Sequence, residues 1–128
     1  MATWDEVRRL ALALPETTEI TDKIGAVWVV KDKRFVWERP LRKSDIDALG
    51  TDAPAGDILC ASVADNDTKL ALVASEPGIF FTTPHFEGYP AVLIRLADID
   101  PGFLAEVVTD AWISRAPKRL AAAYVANQ

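Results

Sequence analysis

The chain has 128 residues, half of them hydrophobic and 26% charged, with 14 Lys and Arg against 19 Asp and Glu for a formal net charge of −5. That size and balance fit one folded domain, residues 1–128, and exclude the apolar-poor, charge-rich composition of a disordered chain. One cysteine rules out a disulfide framework, no apolar run reaches bilayer-spanning length, and the mixed-charge start MATWDEVRRL lacks a signal-peptide pattern, so a cytoplasmic location is expected.

Thr3 followed three residues later by Glu6 forms a capping-box pattern, and Trp4, Val7, Leu10, Ala11 and Leu14 recur at helical spacing, which predicts a helix over residues 4–14. Pro15 ends it, and the polar stretch 16–22 reads as a loop. Residues 26–30 and 35–38 are rich in β-branched and aromatic side chains, so they pair as a hairpin whose tip is Lys31-Asp32-Lys33-Arg34. Ser44 caps a short helical turn carrying Ile46 and Leu49, which Gly50 stops. A connection through Pro54-Ala55-Gly56 leads to a strand over 58–63, and Asp65 or Asp67 caps a short helix carrying Leu70, Leu72 and Val73. Strands over 79–82 and 91–96 follow, joined by the Pro84-to-Pro90 loop, in which Gly88 is expected to adopt a positive φ. Asp100 and Pro101 open a helix reaching about Arg115, and Pro117 begins a last short one. Hairpins with helices at both ends predict an α+β domain: an antiparallel sheet of about five strands, covered on one face.

The segment Phe81-Thr82-Thr83-Pro84-His85-Phe86-Glu87-Gly88-Tyr89-Pro90-Ala91-Val92-Leu93-Ile94-Arg95-Leu96, followed by Ala116-Pro117-Lys118-Arg119-Leu120, resembles the MmcQ/YjbR family. The order of elements agrees along nearly the whole chain. The resemblance implies a compact α+β fold of the frataxin-like or secretion-chaperone-like kind, in a family whose members are commonly described as DNA-binding through a double-wing surface.

Charge is distributed unevenly. Residues 31–43 hold six bases (Lys31, Lys33, Arg34, Arg39, Arg42, Lys43) and two acids, whereas residues 44–110 hold two bases and twelve acids. Arg115, Lys118 and Arg119 form a second basic group with no acid after them. Cations on a projecting β-ribbon can displace counterions from phosphates, so these nine residues are the nucleic-acid candidates, with weak DNA contact as the expectation. Solvated charge at a hairpin and a helix end is the plainer account of the same residues.

Trp28 lies in an unbroken apolar run and reads as core; Trp37 alternates with Val36 and Glu38, a pattern that leaves core or ligand-facing placement open. His85, Phe86 and Tyr89 sit on the Pro-bounded loop and, with Trp37, form an alternative ligand site for a small molecule or peptide. The alternative role for His85 is to pin the turn by bonding to main chain. No phosphate loop, HExxH, paired-cysteine spacing or nucleophile elbow is present, Cys60 sits mid-strand in apolar company, and Asp45, Asp47, Asp52, Asp57, Asp65 and Asp67 read as caps scattered among loops. The sequence thus predicts a non-enzymatic binding module without catalytic residues, metal or cofactor, a monomer or homodimer with no membrane contact.

Overall fold

A computed structural model describes residues 2–54 and 56–127, so the expected connection through Ala55 lies partly outside the described residues. In chain order the elements are α1 (Trp4–Leu12), β1 (Thr17–Thr21), β2 (Ala26–Val30), β3 (Lys33–Glu38), α2 (Lys43–Leu49), β4 (Ile58–Ser62), α3 (Asn66–Ser75), β5 (Phe80–Phe81), β6 (Ala91–Arg95), α4 (Pro101–Arg115) and α5 (Lys118–Ala126). The six strands form one antiparallel sheet in the order β1-β2-β3-β4-β6-β5. The α+β class is as expected. No helix among the described residues is long and apolar enough to cross a membrane.

The sheet has one strand more than the sequence reading allowed. Residues 17–21 are not loop but edge strand, with Glu19 paired to Trp28 and Ile20 to Val27. Three threonines and an isoleucine suit a strand with an open edge, but a strand this polar carries no continuous apolar signal. Helix α1 also stops two residues early, with Ala13 as its C-cap.

A second correction concerns coverage, because both faces of the sheet are buried. One face carries Trp28, Val30, Leu59, Ala61, Val92 and Ile94 beneath α1, α4 and α5, with Val7, Ala11, Leu104, Val108 and Trp112 as the helical side of that core. The other face carries Val27, Val29, Trp37, Cys60 and Leu93, closed by Phe86 and by Leu41 and Leu49 from around α2. The second layer is thin and made of loop and one short helix. It is this layer that forms the candidate site.

Lys31 and Asp32 both have positive φ (48° and 67°), so the β2–β3 connection is a two-residue turn of the twist that suits a hairpin. Just behind it, a bulge between Trp28 and Val29 breaks the register: Val29 faces Arg34, whereas Trp28 faces Val36. The extra residue, Phe35, resets the alternation, so that Arg34 and Trp37 lie on the same face although three residues apart.

Trp28 is buried, and its indole N–H donates to Glu19 Oε1 at 2.9 Å; the same carboxylate receives Arg8 Nε at 2.8 Å. The bond from Arg8 holds the Glu19 carboxyl below its ordinary pKa, with the indole N–H acting in the same direction. Glu19 therefore links α1, the edge strand and the largest buried ring on β2. Glu19→Ala should destabilise the domain by about 1–3 kcal/mol, chiefly by leaving the buried indole N–H without a partner, as measured by thermal or urea unfolding.

Candidate functional site

Arg39 follows β3 immediately, where its backbone N–H donates to Ile58 O and anchors it beside β4. Its side chain turns into the thin layer and is only 3% exposed. Nη1 donates to Pro40 O at 2.6 Å, the guanidinium carbon lies 5.2 Å from the centre of the Phe86 ring, and Nη2 stands 3.1 Å from Asp45 Oδ2. The last contact has ion-pair distance but not hydrogen-bond alignment, and Nη2 has no hydrogen-bond partner among the described residues.

Asp45, 2% exposed, belongs to α2 and also accepts the Arg42 N–H at 2.9 Å. Burial acts to raise its pKa, but the Arg42 N–H and the Arg39 charge outweigh it and hold the carboxyl below its ordinary value. The cap of α2 therefore comes from Arg42 and Asp45 and not from Ser44. Asp45, and not Ile46, is the buried side chain of that helix, since Ile46 is exposed.

The Pro84-to-Pro90 loop opens with a 3-10 turn over Pro84–Phe86 and then passes through Gly88 at φ +77°, the positive value expected. It is held by α3. Lys69, 3% exposed, donates from Nζ to Phe86 O and to Tyr89 O, and Asn66 Nδ2 donates to Gly88 O at 3.0 Å. Burial lowers the Lys69 pKa. The pinning role considered for His85 belongs to these two side chains instead: His85 is exposed, with no hydrogen bond to its ring among the described residues, and it meets Phe86 edge-to-face at 5.1 Å. Phe86 is buried, and Tyr89 is exposed with its ring centre 6.2 Å from that of Phe86.

These pieces meet at a hollow of about 370 Å³. The hairpin side of its wall is Arg34, Trp37, Arg39 and Arg42; the loop side is His85, Phe86 and Tyr89, with Ile24 at the lip. Trp37 is 6% exposed and packs in the second layer, and the Arg34 guanidinium lies 5.3 Å from its ring centre. Arg34 also stands 3.8 Å from Asp22. A larger groove of about 510 Å³ lies across the same loop, between Leu49, Leu70 and Gly88; its buried cation, Lys69, already donates to the loop carbonyls.

The nine cationic candidates thus separate. Arg34 and Arg42 are exposed at the hollow, and Lys33 and Lys43 are exposed near it in sequence. Lys31 pairs with Glu16, and Arg39 is internal, so neither offers an unpaired surface charge. Arg115, Lys118 and Arg119 sit where α4 meets α5, on the helical layer that packs against the Trp28 face of the sheet. They do not share a surface with the hollow. Sequence reading missed Lys69 and Asn66, whose only signal was a polar side chain on the same turn of α3 as its apolar residues.

The depressed pKa of Asp45 means that its contribution to stability is present above the ordinary aspartate range and is lost as pH falls through the folded value. Asp45→Asn should therefore flatten the stability curve below about pH 4, measured by urea unfolding across pH. Lys69→Met should destabilise the domain by about 1–3 kcal/mol and speed amide exchange in residues 86–91, by leaving two loop carbonyls without their donor. His85→Ala should leave both nearly unchanged; an equal loss from that variant would return the pinning role to the histidine.

The YjbR family model matches residues 12–113. The uncharacterized proteins Mb2600 of Mycobacterium bovis and Rv2570 of Mycobacterium tuberculosis are each 52% identical to the chain over 130 residues, covering 99% of it and 98% of their own length. The crystal structure of Deinococcus radiodurans protein DR2400, with a DUF419 domain, superposes with a TM-score of 0.65 over 88% of this chain and 78% of that one, at 18% identity. That likeness concerns the fold. The family match and the mycobacterial relatives, each spanning most of the chain, place it in the YjbR family.

Proposed function

We propose that the protein is a non-enzymatic binding module that receives an anionic ligand in the hollow between the basic hairpin and the Pro84-to-Pro90 loop. The observation that carries this reading is convergence: Arg34, Arg39 and Arg42 meet Trp37, Phe86 and Tyr89 around one concavity. A mostly apolar hollow with a few placed polar groups is the usual form of a small-molecule site. The only thiol, Cys60, is fully buried, and burial pushes its pKa well above the ordinary thiol value, which keeps it from acting as a nucleophile.

A second reading, weak contact with DNA through the hairpin, is favoured by the exposure of Lys33, Arg34, Arg42 and Lys43. It has less to stand on than nine cations suggested, because Arg39 and Lys31 are paired and the Arg115 group lies across the sheet. The two readings separate by variant. Under the first, small anions shift the amide resonances of Arg34, Gly88 and Tyr89, and Arg34→Glu with Arg42→Glu removes the response without lowering thermal stability. Under the second, a short DNA duplex binds with an affinity that falls steeply with salt, and Lys33→Glu with Lys43→Glu weakens it and reduces the salt slope. Anions that shift only residues of α4 and α5, or none, would count against the hollow.

A further inference from the structure

We infer that the ligand of the hollow is an aromatic monocarboxylate: one flat ring system bearing a single negative charge, as opposed to a phosphate ester or a nucleic-acid strand. The inference rests on the reading of the hollow as the binding site and adds its chemical class. Three observations support it.

The first is the charge balance. Three guanidiniums, those of Arg34, Arg39 and Arg42, face two carboxylates, Asp22 at 3.8 Å from Arg34 and Asp45 at 3.1 Å from Arg39. One positive charge is left uncompensated. A monoanion neutralises it, whereas a dianion would bring a second negative charge against Asp45 and Asp22 in a partly desolvated space.

The second is the state of Arg39. Arg39 lines the hollow with a side chain nine-tenths buried or more; Nη1 is occupied by Pro40 O, and Nη2, 3.1 Å from Asp45 Oδ2, has no aligned hydrogen-bond partner among the described residues. A buried donor of this kind is an unmet requirement, since buried polar groups are nearly always paired. A carboxylate entering the hollow meets the guanidiniums of Arg34 and Arg42 directly and draws on the Arg39 charge behind them. Asp45 and Phe86 meanwhile hold the guanidinium in place.

The third is the wall. Tyr89 is 43% exposed while its neighbour Phe86 is buried, and both line the hollow with Trp37, so the wall offers an aromatic side chain still open to solvent. Flat ligands gain from stacking on such a surface, and an aliphatic acid of equal size does not.

The experiment titrates labelled protein with indole-3-carboxylate, with indole-3-carboxamide, with cyclohexanecarboxylate and with adenosine 5′-monophosphate, following amide shifts of Arg34, Gly88 and Tyr89. Indole-3-carboxylate should bind, with the amide weaker by roughly tenfold to a hundredfold for want of the charge. The saturated acid should be weaker by about threefold to tenfold for want of the ring face. Replacing the buried pair together, Arg39→Met with Asp45→Leu, should keep the fold and weaken the carboxylate by at least about tenfold. Should that variant not fold, Arg42→Gln should weaken it severalfold. Equal binding of acid and amide overturns the proposal. Shifts at the hollow from the nucleotide but not from the carboxylate overturn the ligand class and leave the site standing; no shift there from any probe removes both.

Discussion

Arg39 and Asp45 meet beneath the second face of the sheet, and the thin layer over that face is arranged around them. The arginine comes from the end of β3, the aspartate from the first turn of α2, and Phe86 from the loop between β5 and β6 lies over the guanidinium. Three chain segments that share no secondary structure are thereby tied to one another. Buried ion pairs contribute little net stability, because desolvation offsets the attraction; removing one partner is what is severely destabilising. The pair is better understood as a device that fixes where α2 and the loop sit. Its position also sets the Arg39 side chain in the wall of the hollow.

The two faces of the sheet divide the work. The helical face holds Trp28, Trp112 and most of the fully buried side chains, and it supplies the domain's cohesion through ordinary close packing. The second face is closed by a helix of seven residues and a loop held by Lys69 and Asn66. A layer built this way has few apolar contacts of its own, and its shape depends on polar groups at particular positions. Such positions can form a concave site on a rigid sheet without disturbing the main core.

Most elements were legible in the sequence because apolar spacing and turn residues specify them locally: the helix capped by Thr3, the long helix opened by Asp100 and Pro101, and the hairpin, although its turn is only Lys31 and Asp32 where the sequence predicts a tip from Lys31 to Arg34. The segment that resembles the family was also read correctly as to family. What escaped is non-local. The edge strand at residues 17–21 is defined by its pairing to β2, not by its own apolar content. Placing Arg34 and Trp37 on one face requires the bulge opposite Phe35, and strict alternation would have put them on opposite faces. The basic segment and the ring-bearing loop were each noticed, but as rival sites. They are two walls of one hollow, because the bulge, the buried pair and the bracing by Lys69 bring them together, and none of these leaves a periodic signature.

The charge of the whole chain bears on what can reach that hollow. A net charge of −5 repels polyanions at long range, although salt limits that repulsion to about 8 Å under physiological conditions. A nucleic-acid strand carries many charges, so the net negative charge of the chain opposes it and offsets part of what the arginines and the exposed Lys33 and Lys43 gain. A small monoanion brings a single charge, so the net field of the chain acts on it far less than on a polyanion. The net charge therefore costs a compact monoanion less than a polyanion, because the repulsion scales with the charge the ligand brings.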